Sequence, residues 1–218
     1  LESVLTDYDA DIGEILRRLG SKQIRATGTL GGNIANGSPI GDCPPWLIAL
    51  DATLCLRTGS QRRQLAVEDF FLAYGQQDRG RGEFIAHVTI PRLTANQHFR
   101  CYKISKRFDQ DIAAVLGAFR FSLEGEHITE ARIAYGGLAG IPKRAYRSET
   151  ACVGLRINDS SQWSAPLDAL TTDFEPIDDL RGSARYRIST AQALLRKALR
   201  ELSGQSTHET RIVGHRPQ

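Results

Sequence analysis

The feature that most restricts the fold of this sequence is a glycine-rich stretch, Gly28–Asp42, which reads GTLGGNIANGSPIGD. Seven of the eleven residues from position 31 to position 41 are glycine, serine or asparagine, a composition that favours turns. We therefore predict a loop over 31–41, preceded by a short extended stretch over 24–29. The glycines do not have the spacing of a G-x-G-x-x-G dinucleotide fingerprint, and we expect no helix directly after them.

A loop of this composition is suited to bind an anionic ligand. Glycine lets the backbone approach a ligand closely, and consecutive N–H groups can form an anion-binding concavity. Thr29, Asn33 and Asn36 add hydrogen-bonding side chains, and Asp42 adds a carboxylate suited to a ribose or ribityl hydroxyl. From these residues alone, a binding loop and a simple connection between two elements remain equally open.

The rest of the chain predicts an α+β fold. In the first part, apolar residues at helical spacing predict a helix over 10–19 that ends at Gly20, and Cys43–Leu50 reads as a short helix with prolines in its first turn. Strands are predicted over 53–57, 62–67 and 84–90, with a helical turn at 67–71. In the second part we predict strands over 98–105, 112–124 and 128–135, then helices over 145–153, 164–172 and 183–202.

Composition excludes several classes of protein. The net charge of the 218 residues is only +3, without the basic stripe of a nucleic-acid-binding protein. No apolar run is long enough to span a membrane. The four cysteines lie far apart and the five histidines lack metal-ligand spacing, so we expect no metal site and reduced thiols in the cytoplasm. The chain starts at Leu1 and has no methionine, so we expect a fragment of a longer protein.

The segment Ser21–Arg25 followed by Gly28–Asp42 resembles the second FAD-binding motif of the molybdenum hydroxylase flavoproteins. This family includes xanthine dehydrogenases, aldehyde oxidases and the medium subunits of carbon monoxide dehydrogenases. The SPIGD sequence of Ser38–Asp42 points to the bacterial xanthine dehydrogenase branch. Three later segments resemble the same family in the same order: Tyr102–Ile112, Ala134–Arg144 and Gly182–Ile188.

The resemblance implies a domain organisation. Residues 1–96 would be the second α/β subdomain of a two-part FAD-binding domain. Residues 97–203 would be the C-terminal flavoprotein domain, with a three-stranded antiparallel sheet and a helical bundle, and 204–218 a flexible tail. The first FAD subdomain, with its pyrophosphate loop, has no counterpart here, so the resemblance implies an incomplete FAD site that holds the cofactor weakly or not at all.

The resemblance also implies roles for individual residues. FAD phosphates and sugars would lie against Thr29, Gly32, Asn33, Asn36 and Asp42. Leu19 stands where the family often has an aromatic residue near the cofactor, Ile85 would contact the flavin, and Lys103 would place a positive charge beside it. Tyr74 and Asp111 would lie on the NAD+ side. From the residues alone, Leu19, Ile85 and Lys103 read as ordinary structural positions.

The function implied is electron transfer in a xanthine dehydrogenase that oxidises hypoxanthine and xanthine to urate. Electrons would pass from iron–sulfur clusters to FAD and then to NAD+. The molybdopterin would belong to a large molybdenum-binding subunit, and the 2Fe-2S clusters to a domain upstream in the same subunit. We expect no catalytic acid or base in this chain. The alternatives are a flavoprotein subunit acting with an aldehyde or N-heterocycle hydroxylase, and a non-catalytic module that has lost FAD.

Overall fold

A computed structural model describes residues 2–204, which form a mixed α/β structure of helices and antiparallel sheets. The helices are α1 Glu2–Tyr8, α2 Ala10–Arg17, α3 Lys22–Thr27, α4 Leu30–Ala35, α5 Pro44–Ala49, α6 Tyr146–Cys152, α7 Ser164–Asp173 and α8 Ala184–Leu202. The strands are β1 Thr53–Thr58, β2 Gln61–Ala66, β3 Phe71–Ala73, β4 Gln76–Gln77, β5 Phe84–Thr89, β6 Gln97–Ile104, β7 Val115–Glu124, β8 His127–Gly136 and β9 Lys143–Arg144. The predicted tail lies outside the described residues, except for its first residue, Gly204.

Most of the predicted elements of the first part are confirmed. Helix α2 begins at Ala10 with Asp9 as its N-cap and ends at Arg17. Gly20 follows with a φ of +54°, a left-handed conformation that glycine adopts easily and that directs the chain away from the helix. Helix α5 has its prolines in the first turn. The hairpin of β1 and β2 turns at Gly59, where φ is +57°, and β5 pairs with the other edge of β1.

Two predictions for the glycine-rich region are wrong. The stretch predicted to be extended forms most of helix α3, and the first half of the predicted loop forms helix α4. Each helix is capped by a side chain: Ser21 Oγ accepts from Ile24 N at 3.3 Å, and Thr29 Oγ1 accepts from Gly32 N at 2.9 Å. Such caps stabilise a helix start by about 1 kcal/mol, which helps to offset the low helix propensity of the glycines.

The second part has a larger antiparallel sheet in the order β6-β7-β8-β9. Its three long strands match the prediction, and Gly125 makes the turn between β7 and β8 with a φ of +60°. The fourth strand, β9, has only two residues and no alternating pattern by which the sequence could reveal it. Helices α6, α7 and α8 form where they were predicted.

Strand β6 lies between the two hydrophobic clusters that the described residues form. Because side chains alternate along a strand, Phe99, Cys101 and Lys103 point to one face, and Tyr102 points to the other. Phe99 and Cys101 belong to the cluster built around helices α2 and α5, whereas Tyr102 packs against the cluster that contains α7 and α8. The first part of the chain therefore packs directly against one face of the larger sheet, and Lys103 is buried at that contact.

Candidate cofactor site

The centre of the candidate site is an ion pair between Lys103 and Asp42. Lys103 Nζ lies 2.6 Å from Asp42 Oδ2, and the two side chains are 1% and 9% exposed. Asp42 closes the glycine-rich segment, and Lys103 comes near the end of β6, 61 positions later. The family resemblance implied that both residues belong to the cofactor site, and the structure brings them together.

Burial and charge act on Asp42 in opposite directions. Removal from water raises the pKa of the Asp42 carboxyl above its ordinary value, and the attraction of Lys103, with a smaller effect of Arg18, opposes that shift. The positive charge of Lys103 is thus compensated inside the protein by a carboxylate of the glycine-rich segment. The pair fixes the position of that segment relative to the larger sheet.

Arg18 is a residue of the site that the sequence did not reveal. It follows α2 directly, and only 5% of it is exposed. Its guanidinium donates to Phe108 O at 2.8 Å, Lys103 O at 3.3 Å and Ser105 Oγ at 3.3 Å. Arg18 therefore joins helix α2 to the segment that leaves β6. A cationic residue at the end of a helix is common, so only the tertiary contacts distinguish it.

Three of the predicted polar residues lie on or beside α4. Thr29 is its N-cap, and Asn36 is its C-cap and is exposed. Asn33 Oδ1 accepts from Cys43 N at 3.2 Å, which ties α4 to the start of α5. A Cβ at Gly32 would lie 2.9 Å from Thr29 Oγ1, so a side chain there would displace the hydroxyl that caps α4. Thr29, Asn33 and Gly32 thus all serve the local structure of the segment.

The glycines of α4 also allow the helix to pack closely on β5. A Cβ at Gly31 would lie 3.3 Å from Ile85 O and 3.4 Å from Ile85 Cβ. Ile85 and Leu19 are half-buried and pack against the same hydrophobic cluster. This gives both residues a structural role at the positions where the resemblance implied contacts with the cofactor.

The two residues predicted for the NAD+ side lie on different segments. Tyr74 is 78% exposed in the turn between β3 and β4. Asp111 is partly exposed in the loop after β6, where its Oδ2 accepts from Arg107 N at 2.8 Å. That backbone hydrogen bond is the main reason why the pKa of Asp111 lies below its ordinary value. In the part of the chain that the structure describes, no hydrogen bond or ion pair joins Tyr74 to Asp111.

Residues 2–204 contain no group of three or more histidine, cysteine or acidic side chains able to hold a metal ion. All four cysteines are free thiols. None of the helices in this part of the chain is both long and apolar enough to cross a lipid bilayer.

Two protein families match the sequence and together account for nearly all of it. The family described as the FAD binding domain in molybdopterin dehydrogenase matches residues 2–93. The family described as the CO dehydrogenase flavoprotein C-terminal domain matches residues 100–202.

Individual relatives agree with these matches. The glyceraldehyde dehydrogenase medium chain of Sulfolobus acidocaldarius is 32% identical over 86% of this chain and 66% of its own length. A xanthine dehydrogenase of Emericella nidulans is 31% identical over 84% of this chain but only 14% of its own. The solved structure of carbon monoxide dehydrogenase from Hydrogenophaga pseudoflava, which lacks the Mo-pyranopterin moiety of its cofactor, superposes with a TM-score of 0.84 at 26% identity, covering 94% of this chain and 70% of that one.

The protein belongs to the FAD-binding flavoprotein family of the molybdenum hydroxylases, and its chain contains the FAD-binding domain of that family. It spans less than two thirds of these curated relatives. The relatives include dehydrogenases of aldehydes, carbon monoxide and xanthine, so membership of this family does not by itself identify the substrate.

The residues around α4 fit an elongated, phosphate-bearing cofactor. The helix offers no internal acceptor to the N–H groups of Leu30 and Gly31, and helix starts of this kind bind phosphate groups. The surface beside them is open: Thr29, Gly32 and Asn36 are exposed, and Ile24 is exposed although it is apolar. The donors and the open backbone therefore suit FAD at this surface.

Proposed function

We propose that this chain is the flavin-carrying part of an NAD+-dependent xanthine dehydrogenase. The observation that carries the flavin role is the buried Lys103–Asp42 pair. It holds the glycine-rich segment of the FAD-binding domain against strand β6 of the larger sheet. The choice of xanthine is supported by the SPIGD sequence of Ser38–Asp42 and by the segment Lys106–Asp111, both of which resemble the xanthine dehydrogenase branch. The Emericella nidulans relative is consistent with that choice.

The chain's own residues would bind and orient the cofactor. The N–H groups of Leu30 and Gly31 would hold the phosphates at the start of α4, whose shape depends on Thr29, Gly32 and Asn33, and Asn36 would bind the sugar chain. Asp42 would act mainly by holding Lys103, and the buried pair would keep the glycine-rich segment in position beside the cofactor. Leu19 and Ile85 would support the apolar side of the site.

A second set of residues would face the nicotinamide nucleotide. Asp111 carries negative charge in a loop that its own hydrogen bond to Arg107 N holds in shape. Tyr74 offers an exposed ring to a flat ligand. These two residues would control the access of NAD+ and the charge around the flavin.

Bound FAD would supply the redox chemistry, taking electrons from iron–sulfur clusters and passing a hydride to NAD+. The 2Fe-2S domain would lie upstream in the same subunit, and a large subunit would hold the molybdopterin. The complete enzyme would work in the cytoplasm. Within this chain, residues position and shield the cofactor, and none is needed as a general acid or base.

An aldehyde dehydrogenase is the second candidate function. It is favoured by the 32% identity to a glyceraldehyde dehydrogenase medium chain, which this chain covers more fully than it covers the xanthine dehydrogenases. A turnover assay of the complete enzyme decides between the two. We expect NADH formation with xanthine and hypoxanthine, and faster turnover of glyceraldehyde would instead assign the second function.

The flavin role is tested by titrating FAD into the longer subunit that contains this chain. We expect a shifted flavin absorbance and quenched fluorescence. Asn36→Asp should weaken binding about tenfold, since it replaces an amide donor at the proposed sugar contact and adds negative charge to the surface that would hold an anionic cofactor. Asn96→Asp makes the same change at an exposed position on another surface and should leave binding unchanged. Failure of the unmodified subunit to bind FAD would support a non-catalytic module instead.

A further inference from the structure

The three-stranded sheet of the first part has an open edge at β2. The strand order is β2-β1-β5, so β2 has β1 as its only neighbour in the sheet. Helix α4, with the residues proposed for the cofactor, packs against β5 on the opposite side of the sheet. The edge of β2 is therefore separate from the cofactor site.

The register of the hairpin shows which backbone groups point outward from this edge. A two-residue turn joins β1 to β2, which makes Thr58 and Gln61 a hydrogen-bonded pair, and such pairs alternate with non-hydrogen-bonded ones along the ladder. The bond from Val67 N to Ala52 O, at 2.9 Å, fits the same alternation at the other end of the hairpin. The residues of β2 between these pairs direct alternate backbone groups away from β1.

The outward-pointing groups include the N–H and C=O of Arg62 and Gln64, which belong to the non-hydrogen-bonded pairs. Both residues are exposed. Within residues 2–204, these four backbone groups form no hydrogen bond with another part of the protein. An unpaired row of alternating donors and acceptors is a template for the addition of another strand.

The outer face of the sheet is positively charged beside this edge. Arg62 lies directly opposite Arg57 of β1, and both are exposed. In a pair of this type the Cα atoms are only about 4.5 Å apart, and like charges so placed destabilise a sheet. Neither arginine forms an ion pair with any residue that the structure describes. A carboxylate supplied by a partner would compensate this charge.

The other face of β2 has a different character. Arg63 is already neutralised, because its guanidinium lies 3.0 Å from Asp78 Oδ2 and 2.8 Å from Glu83 Oε1. Leu65 is half-buried and packs against the hydrophobic cluster of the first part. An added strand would place apolar side chains beside Leu65 and acidic ones beside Arg62, since successive side chains of a strand point to opposite faces.

We propose that the edge of β2 binds an extended polypeptide segment of alternating acidic and apolar residues as a further strand of this sheet. The backbone groups of Arg62 and Gln64 pair with the segment, and the side chains on the two faces select its sequence. A second copy of this chain would bring more arginines to the same face, and a nucleic acid could not pair with the backbone groups. The proposal does not rest on the flavin role.

The test titrates the complete chain into a fluorescently labelled peptide of alternating glutamate and valine, capped at both ends, and measures anisotropy. A lysine–valine peptide and a glutamate–valine peptide with N-methylated glutamates serve as controls. We expect saturable binding of the unmodified acidic peptide only, because lysine is repelled by the arginines and N-methylation removes the donors that face β2. Hydrogen exchange at the amides of Arg62 and Gln64 should slow on binding. Absence of binding, or equal binding of the N-methylated peptide, would overturn the proposal.

Matched variants connect binding to the edge. Gln64→Pro removes an outward N–H and no hydrogen bond to β1, a change that edge strands tolerate, and should abolish binding. Gln64→Thr keeps the N–H and should bind as the unmodified chain does.

Charge is tested separately from the backbone. Arg62→Glu should weaken binding of the acidic peptide at least about tenfold, since it places like charges together. Arg185→Glu, at an exposed position on α8, is the control and should leave the affinity unchanged. Equal losses in these two variants would contradict the proposal. Binding of a single-stranded oligouridylate that is lost in Arg62→Glu but kept in Gln64→Pro would assign the surface to nucleic acid instead.

Discussion

Lys103 Nζ and Asp42 Oδ2 lie 2.6 Å apart and are almost completely shielded from water. This contact joins the glycine-rich segment to the end of β6. An ion pair that joins two distant segments inside the protein constrains their relative position more than one on the surface does. Removal of either partner is strongly destabilising, because it leaves an uncompensated charge inside the protein.

Breaking this pair should destabilise the protein. We expect Lys103→Met or Asp42→Asn to lower the free energy of unfolding by about 3–5 kcal/mol, because each leaves a buried polar partner unmatched. The double variant Lys103→Met with Asp42→Leu should recover much of the loss. Urea denaturation provides the measurement. Glu126→Gln, which breaks the exposed pair with Arg156, is the control and should leave the denaturation midpoint unchanged.

Glu68 should make stability depend on pH. It accepts from Arg132 at 3.1 Å, Arg144 at 3.2 Å and Tyr146 Oη at 3.0 Å. Although burial opposes its ionisation, the two arginines hold the pKa of Glu68 below its ordinary value. A carboxyl with a lowered pKa in the folded state contributes its stability above its unfolded pKa, about 4.3, and loses it as pH falls through the folded pKa.

We therefore expect Glu68→Gln to lower the free energy of unfolding at neutral pH and to flatten its decline below about pH 4.3. Denaturation curves at a series of pH values measure both effects. An unchanged dependence of stability on pH in the variant would show that ionisation of Glu68 contributes nothing to the free energy of unfolding.

Gly137 should be far less replaceable than other glycines with positive φ. Its φ is +85°, and a Cβ there would collide with the backbone oxygen of Ala114. Gly125 has a φ of +60° with open space around it, so Gly125→Ala tests the dihedral strain alone, about 1–2 kcal/mol. We expect Gly137→Ala to lower the thermal unfolding temperature clearly more. Equal shifts in the two variants would refute the steric argument.

Thr29 allows the helix cap to be separated from any contact with FAD. Thr29→Ala removes the acceptor for Gly32 N and should cost about 1 kcal/mol of stability. Thr29→Ser keeps the cap and should restore stability. If the proposed phosphate site depends on the shape of α4, FAD affinity should follow the same order, with serine close to threonine. Equal stability of the alanine and serine variants would show that the hydroxyl at position 29 does not stabilise the start of α4.

Local sequence predicted those elements whose pattern repeats. The strands β6, β7 and β8, the hairpin of β1 and β2, and helix α8 follow from alternation, from glycine at turns and from apolar residues on one helix face. The glycine-rich region was less predictable. Helices α3 and α4 have six residues each, too few to be stable on their own, so they depend on caps and on packing.

The sequence by itself determined the family and the order of most elements, and it predicted the residues of a cofactor site, because these are carried by motifs and by short-range periodicity. The tertiary structure decided which of those residues meet. It paired Lys103 with Asp42, brought Arg18 to the loop after β6, and placed Gly31 against Ile85. These contacts join segments tens of residues apart. They depend on how the two parts of the chain pack, which no local pattern of residues encodes.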